Sequence, residues 1–270
     1  MKRAAVLGSP IAHSLSPTLH AAGYAACGLD DWEYGRREVT ATELLAVVAS
    51  LDDSWRGLSL TMPLKEAAFE VAASVSEVAT RAGAINTLVR RSDAAWDATN
   101  TDVGGIVESL RPYVGDRLDG ATVLGAGATA RSAVLALAEL GAGSIVVRAR
   151  RPEAAEELGR WAADTVGLPS RSGLLTDWAD GEALVVSTLP AGVGDGLARD
   201  LPAADGVLLD VVYANWPTPI ATAAQRLGWT VVSGLDMLVH QAAAQFELFT
   251  GVEAPIEAMF AAGRAALGRV

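Results

Sequence analysis

Seven polar side chains within the first 102 residues are the best suited to chemistry, because each falls where a predicted strand ends. They are Ser14, Ser16, Thr61, Lys65, Asn86, Asn100 and Asp102. In an open α/β sheet, ligands bind beyond the carboxyl ends of the strands, so we expect these side chains to line one mouth. Hydroxyl and amide groups of this kind suit a substrate that carries several hydroxyl groups on an uncharged ring.

Lys65 and Asp102 are the pair expected to move a proton. Reducing a ketone requires a hydride on carbon and a proton on oxygen, and an acid or base positioned near the oxygen supplies the second. A neighbouring aspartate would hold the lysine in place. The alternative is a surface lysine on a helix and an aspartate that only caps the next helix. The sequence alone leaves both interpretations open.

The serines and asparagines of this set predict contacts to substrate. Ser14 and Ser16 are two residues apart in an extended loop and can bind the two oxygens of a carboxylate. Asn86 and Asn100 can supply amide groups, although each taken alone is also an ordinary turn residue.

A glycine-rich turn, VLGAGATAR from Val123 to Arg131, predicts a nucleotide site. An apolar run before it and an alanine-rich segment after it indicate strand, tight turn and helix. Glycines at 125 and 127 let the backbone approach a pyrophosphate, and the helix N-terminus offers unpaired N–H groups and a positive dipole end. The predicted phosphate contacts are Gly125, Ala126, Gly127, Ala128 and Thr129. The alternative is a tight turn without a ligand, since one glycine pattern is weak by itself.

The end of the next strand predicts which dinucleotide binds. A strand over Ser144–Val147 is followed by Arg148, Arg150 and Arg151, and no acidic residue occurs before Glu153. NAD sites usually place an acid here for the ribose 2′-hydroxyl, whereas a guanidinium suits a 2′-phosphate. The sequence therefore favours NADP(H), with Arg150 as the first choice for the phosphate. The alternative is a solvated basic turn.

Composition excludes several classes of protein. The chain has 270 residues, is 51% hydrophobic and carries a formal charge of −11, which argues against general nucleic-acid binding. Its single cysteine, Cys27, excludes an internal disulfide and, with three histidines at unsuitable spacing, a zinc set. No apolar run resembles a signal peptide or a membrane span. We expect a cytoplasmic enzyme without a metal, acting on a small molecule as a monomer or homodimer.

Alternating strand and helix signals predict an α/β protein of two domains. Residues 1–101 with 235–270 are predicted to form a substrate-binding, catalytic domain, and residues 102–234 a Rossmann-type domain with a parallel sheet. The two C-terminal helices should pack back against the first domain. Further helices are predicted over 17–27, with Ser16 as N-cap, over 63–73 and over 75–81. A hairpin is predicted over 85–98.

Taken together and in this order, six motifs resemble the shikimate dehydrogenase family. They are GSPIAHSLSP (8–17), TMPLK (61–65), GAINTL (83–88), NTDVGG (100–105), GAGATAR (125–131) and GLDMLVHQ (234–241). The resemblance implies that Lys65 and Asp102 are catalytic and that Ser14 and Ser16 bind the substrate carboxylate. It adds Tyr213 and Gln241 as substrate contacts. Gly234 is predicted as a further cofactor-binding residue.

The resemblance implies NADPH-dependent, reversible reduction of 3-dehydroshikimate to shikimate, in chorismate and aromatic amino-acid biosynthesis. Three departures from the family pattern stand out. Ser59 replaces a frequent Asn, so one substrate hydrogen bond is expected to be rearranged. The adenine-ribose motif reads Ala149-Arg150-Arg151 instead of Asn-Arg-Thr, and Ser187–Pro190 differs from the common Asn-Ala-Thr. The alternatives are an NAD-dependent quinate/shikimate dehydrogenase and a non-catalytic NADP(H)-binding sensor on the same fold.

Overall fold

A computed structural model describes residues 1–115, 118–178, 183–199, 201–202 and 205–268. They form two compact α/β units, which comprise residues 1–102 with 238–270 and residues 103–237. Among the described residues, no helix is long and apolar enough to cross a membrane. The predicted α/β class with two domains is confirmed.

The described residues contain twelve strands: β1 (Lys2–Gly8), β2 (Trp32–Glu38), β3 (Trp55–Leu60), β4 (Ser74–Val75), β5 (Thr87–Arg90), β6 (Trp96–Thr99), β7 (Ala121–Leu124), β8 (Ile145–Ala149), β9 (Ser170–Leu174), β10 (Leu184–Ser187), β11 (Val207–Asp210) and β12 (Thr230–Ser233). The same part of the chain contains ten α-helices: α1 (Ser16–Ala26), α2 (Leu44–Ala49), α3 (Leu64–Ala67), α4 (Glu77–Ala82), α5 (Asp102–Leu110), α6 (Ala128–Glu139), α7 (Pro152–Trp161), α8 (Pro219–Arg226), α9 (Gly234–Thr250) and α10 (Ile256–Leu267).

The first unit is built on a mixed sheet of order β2-β1-β3-β5-β6-β4. Strands β1, β2 and β3 are parallel, whereas β5 is antiparallel to both β3 and β6, which confirms the predicted hairpin. Side chains of β1 alternate between the two faces: Ala5 and Leu7 pack in one core, and Ala4 and Val6 in the other. This period of two is what a strand buried on both faces requires.

The C-terminal helices belong to the first unit, as predicted. Phe246 and Phe249 of α9 pack with Ala4 and Val6 on one face of the sheet. Phe249 lies so close to Gly57 of β3 that a Cβ built there would be 2.0 Å from the ring. Glycine at position 57 is therefore what lets this helix approach the sheet.

The second unit has the doubly wound topology of a dinucleotide-binding domain. The six strands described in this unit are all parallel, in the order β9-β8-β7-β10-β11-β12. Numbered along the unit, this order is 3-2-1-4-5-6, and the direction of strand addition reverses between β7 and β10. Ligands of such sheets bind at this switch point, beyond the carboxyl ends of the strands.

Three helix predictions were wrong at their ends. Helix α1 begins at Ser16 and has Leu15 as N-cap, so Ser16 lies in the first turn and is not the cap. Helix α3 ends at Ala67 and continues only as a 3-10 turn, because Ala73 and Ser74 are drawn into the sheet beside β6.

The segment predicted as a helix over 75–81 begins as a strand, since Val75 pairs with Ala98 in β6. Helix α4 starts at Glu77, after Ser76, whose hydroxyl accepts a hydrogen bond from the Ala79 N–H. Strand β9 was not predicted at all.

Candidate functional site

Lys65 and Asp102 form a largely buried ion pair. The Lys65 Nζ donates to Asp102 Oδ2 over 2.6 Å, and the two side chains are 14% and 7% exposed. Lys65 is therefore not a surface lysine, and the Asp102 carboxylate is directed to the lysine. A short, charge-assisted bond of this kind fixes the position of the ammonium group.

Backbone hydrogen bonds bring these side chains together from separate elements. The Ile85 N–H donates to the Lys65 carbonyl over 2.8 Å, which joins α3 to the start of β5. The Asn86 N–H donates to the Thr99 carbonyl over 3.2 Å at the end of β6. The ends of β3, β5 and β6 thus place Lys65, Asn86 and Asp102 at one edge of the mixed sheet.

Asn86 orients the carboxylate of Asp102. It is 2% exposed, and its amide group donates to Asp102 Oδ1 over 2.8 Å and to Thr101 Oγ1 over 2.9 Å. Its Oδ1 accepts from the Thr101 N–H at 2.8 Å and from Thr87 Oγ1 at 2.7 Å. All four hydrogen-bonding positions of a carboxamide are occupied, so the side chain has one orientation.

Asn100 performs the capping that Asp102 was alternatively expected to perform. Its Oδ1 accepts from the Asp102 N–H at 2.9 Å, at the start of α5, and its amide group donates to the Ala84 carbonyl at 2.9 Å. The carboxylate of Asp102 is thereby left to bind Lys65 and Asn86. Both asparagines are buried parts of the site and not solvated turn residues.

Ser14 and Ser16 lie together at the start of α1, with their hydroxyl oxygens 3.3 Å apart. The Ser16 N–H also donates to Ser14 Oγ over 3.3 Å. The loop before them is held by a hydrogen bond from the Arg36 guanidinium to the Ala12 carbonyl. Two hydroxyls at this spacing suit the two oxygens of a carboxylate.

Thr61 and Gln241 lie in the same unit. The Thr61 N–H donates to the Leu7 carbonyl over 2.9 Å, just beyond the end of β3. Its methyl group lies against Gly8, where a built Cβ would be 2.4 Å from it. Gln241 is 7% exposed, and its amide group donates to the Leu238 carbonyl of its own helix over 2.9 Å.

Sequence analysis did not identify a second group of buried polar residues, which adjoins the Lys65–Asp102 pair through Asn86. The Gln245 carboxamide, on α9, accepts from Ser59 Oγ at 2.6 Å and donates to Thr87 Oγ1 at 2.9 Å. The Tyr34 hydroxyl donates to Ser59 Oγ over 2.6 Å, and burial raises the pKa of Tyr34, which keeps this donor protonated. A polar residue on the apolar face of α9, one helical turn after Gln241, was the available signal.

Two glycines shape the turn that joins β7 to α6 in the second unit. Gly125 has φ +107°, which favours glycine, and its N–H donates to the Arg148 carbonyl over 2.8 Å. Gly127 is the N-cap of α6, and a Cβ built there would meet no atom within 4 Å. Ala130 is fully buried, as close packing of helix and strand needs. Ala126, Ala128 and Thr129 complete the turn, which fits a pyrophosphate at the helix N-terminus.

The three arginines predicted near a 2′-phosphate separate into two groups. Strand β8 extends to Ala149, so Arg148 lies inside the strand, where it is 3% exposed and its guanidinium stacks 5.0 Å from the Trp178 ring. Arg150 and Arg151 follow the strand and are exposed. These two are therefore available to a ligand, whereas Arg148 packs in the interior.

Tyr213 and Gly234 also lie in the second unit. Tyr213 follows β11 by three residues and is half-buried. Gly234 begins α9 and has the Val211 backbone beside it, since a Cβ built at 234 would be 2.1 Å from the Val211 oxygen. Close approach of two backbones is reason enough for glycine there. Across the described residues, no cluster of three His, Cys, Asp or Glu side chains could hold a metal ion.

Comparison with known proteins agrees with this architecture. Residues 6–88 match a family model described as the shikimate dehydrogenase substrate binding domain, and residues 234–262 match the shikimate 5'-dehydrogenase C-terminal domain. The NADP(+) shikimate dehydrogenase of Moorella thermoacetica is 38% identical over 98% of this chain and 93% of its own length.

Solved structures of two related enzymes superpose on nearly the whole chain. Shikimate dehydrogenase of Mycobacterium tuberculosis has a TM-score of 0.89 at 46% identity and covers 98% of this chain and 100% of its own. The Thermus thermophilus enzyme, solved with NADP(H) and shikimate, has a TM-score of 0.87 at 35% identity and covers 99% and 100%. The chain belongs to the shikimate dehydrogenase family.

Proposed function

We propose that this chain catalyses the reversible, NADP-dependent interconversion of 3-dehydroshikimate and shikimate, a step of chorismate and aromatic amino-acid biosynthesis. The observation that carries the proposal is the buried Lys65–Asp102 pair, 2.6 Å apart and oriented by Asn86. Relatives at 38% to 46% identity over nearly the whole chain are shikimate dehydrogenases.

Lys65 carries the proton in this proposal. During reduction its ammonium group donates a proton to the carbonyl oxygen of the substrate, and during oxidation the neutral amine accepts one from the hydroxyl group. Asp102 holds the amine in place through Oδ2, while Asn86 holds Oδ1. Of the 21 lysine and arginine residues of the chain, only Lys2 and Lys65 are lysines. An arginine would stay protonated, so a lysine at this position is the basic residue that can exchange a proton.

Substrate binding uses the hydroxyl pair of the first unit. Ser14 and Ser16, with oxygens 3.3 Å apart, bind the carboxylate, and the shikimate ring hydroxyls are bound by polar groups near Lys65. Thr61, Asn100, Gln241 and Tyr213 are further contacts in this proposal. The substrate domain is taken as residues 1–101 with 235–270, and the cofactor domain as residues 102–234.

The second unit fits NADP(H). The open space at Gly127 suits a pyrophosphate at the N-terminus of α6, and the exposed Arg150 and Arg151 suit a 2′-phosphate. When bound, the dihydronicotinamide supplies the hydride that reduces the substrate. The free thiol of Cys27 fits a reducing compartment, and we propose the cytoplasm.

Initial rates of cofactor reduction test this function. Shikimate and quinate are each combined with NADP⁺ and NAD⁺, and we expect strong activity with shikimate and NADP⁺ alone. Activity with quinate and NAD⁺ would support the NAD-dependent alternative. NADP⁺ binding without turnover of either substrate would support the sensor.

The variant Arg150→Ala tests the cofactor assignment. Loss of a guanidinium–phosphate contact should raise KM for NADP⁺ by about tenfold and leave KM for NAD⁺ nearly unchanged. Arg160→Ala is the matched control, because Arg160 is also an exposed arginine of this unit, at the far end of α7. Equal losses with both cofactors in Arg150→Ala would contradict the assignment to a 2′-phosphate.

A further inference from the structure

Gln245 is a fully buried polar residue on the apolar face of α9. It is 1% exposed and lies beside Phe246, which is also fully buried. Its amide group donates to Thr87 Oγ1 over 2.9 Å and to the Asn86 carbonyl over 3.3 Å. The backbone carbonyl can only accept, so it fixes which end of the Gln245 carboxamide carries the NH₂ group.

The opposite end of Gln245 is fixed by a second chain of hydroxyl groups. The Tyr34 hydroxyl donates to Ser59 Oγ, and the Ser59 proton is therefore directed to Gln245 Oε1, at 2.6 Å. Tyr34 itself stacks on the buried ring of His20, with centroids 3.9 Å apart and an interplanar angle of 7°. The Tyr34 hydroxyl also interacts with the Ser16 side chain. These contacts hold the Tyr34 hydroxyl, and through it Ser59, in place against the Gln245 carboxamide.

Fixing Gln245 determines the direction of the next hydrogen bond. Because Thr87 Oγ1 accepts from Gln245, its own proton goes to Asn86 Oδ1, 2.7 Å away. The Asn86 oxygen is then turned to Thr87 and its NH₂ group to Asp102 Oδ1, at 2.8 Å. Asn86 Oδ1 also accepts from the Thr101 N–H at 2.8 Å, so this backbone group and the hydrogen bonds from Gln245 through Thr87 favour the same orientation of Asn86. Gln245 thereby contributes to the orientation of the carboxylate that holds Lys65.

We infer that Gln245 is a positioning residue, which acts through Thr87 and Asn86 to hold Asp102 in the orientation that places the Lys65 amine. The inference rests on the proposed function for its effect on turnover. It explains why Ser59 is tolerated at a position where the family often has Asn. The Ser59 hydroxyl accepts from Tyr34 and directs its only proton to Gln245, so it bonds to the interior of the first unit.

Kinetics of Gln245→Met test this role, since methionine keeps the length of the side chain and removes its hydrogen bonds. Loss of one orienting bond should lower kcat about 3- to 10-fold, with KM for shikimate changed less than about twofold. Thr87→Val breaks the same chain one step later and should have a similar effect. Thr250→Val is the control, because Thr250 is on the same helix and bonds only to nearby backbone groups.

The double variant separates positioning from general destabilisation. If Gln245 acts through Thr87, the double variant Gln245→Met with Thr87→Val should have the same kcat as whichever single variant has the lower kcat. Losses that multiply, or a Gln245→Met variant with the kcat of the unmodified chain, would overturn the inference.

A second measurement needs no turnover and so separates this inference from the proposed function. The side-chain amide signal of Asn86, assigned by its loss in Asn86→Asp, is followed by ¹H–¹⁵N NMR. We expect it to shift in Gln245→Met and in Ser59→Ala and to stay unchanged in Thr250→Val. An unmoved Asn86 signal would overturn the inference, even if the unmodified chain reduces NADP⁺ with shikimate. If Gln245→Met does not fold, the inference is tested by the Asn86 signal in Ser59→Ala and by kcat in Thr87→Val, with the same expected results.

Discussion

His20 should make the stability of the first unit depend on pH. The ring is fully buried against Tyr34, Tyr24 and Phe246, and burial lowers its pKa from 6.5 to about 3. Between these values the unfolded chain binds a proton that the folded unit does not. The free energy of unfolding therefore falls as the pH drops below 6.5 and is fully retained above it.

The magnitude follows from the two pKa values. With 6.5 in the unfolded chain and about 3 in the folded unit, lowering the pH from 7.5 to 5.5 should cost about 1.4 kcal/mol of unfolding free energy at this one ring. His20→Leu removes the titrating ring and keeps an apolar side chain, so this part of the pH dependence should disappear. Repacking around leucine shifts the stability by an amount that does not depend on pH.

Amide hydrogen exchange of β1 measures the opening of this unit without requiring that the whole chain unfold in one step. The unmodified chain and His20→Leu are compared at pH 7.5 and 5.5, which cancels the titration of groups they share. His13→Leu is the matched control, because His13 is exposed. The compared quantity is the difference in opening free energy between the unmodified chain and His20→Leu. If this difference is the same at both pH values, the reasoning about a buried neutral ring is refuted.

Two further predictions concern stability. Burial raises the pKa of Asp210 above 3.8, so the folded second unit holds this proton more tightly than the unfolded chain and loses stability as the pH rises from about 4. Asp210→Asn removes this titrating group, so its stability relative to the unmodified chain, followed by hydrogen exchange of β11, should increase as the pH rises above about 4. A stability difference that does not depend on pH would contradict this. Gly57→Ala should destabilise the first unit by about 1–3 kcal/mol, because the new methyl group collides with Phe249. Gly104→Ala, whose Cβ would meet no atom within 4 Å, is the control, and equal melting temperatures for the two variants would argue against the collision.

The elements around the site were predictable where a local signal was strong. Strands β7, β8, β10, β11 and β12 are mostly apolar runs, and the glycine-rich sequence between β7 and α6 indicates the position of the turn. Strand β9 escaped prediction because Ser170–Leu174 is a mostly exposed edge strand without the apolar pattern of the others. Strand β4 has only two residues and exists through its pairing with β6, which no local pattern encodes.

The candidate site shows the same division. Lys65 and Asp102 stand in recognisable motifs, but the alternative of a surface lysine and a capping aspartate could be set aside only by the burial of the two side chains and their ion pair. Arg148 was predicted to follow the strand because the apolar run stops at Val147. It lies inside the strand and contacts Trp178, which is 30 residues away in the sequence and gives no local signal. Gln245 was missed because a lone glutamine in an apolar helix face gains meaning only from Ser59 and Thr87, which come from other strands.

The most direct test of the proposed chemistry is kcat and KM for shikimate in Lys65→Ala, with NADP⁺ as oxidant. Lys2→Ala is the matched control, since Lys2 is the other lysine and forms an exposed ion pair with Asp31. We predict that kcat falls by about 10²- to 10⁴-fold in Lys65→Ala, with a much smaller rise in KM, and that Lys2→Ala is unchanged. A near-normal kcat in a folded Lys65→Ala enzyme would remove Lys65 from the proton transfer and contradict the proposed mechanism.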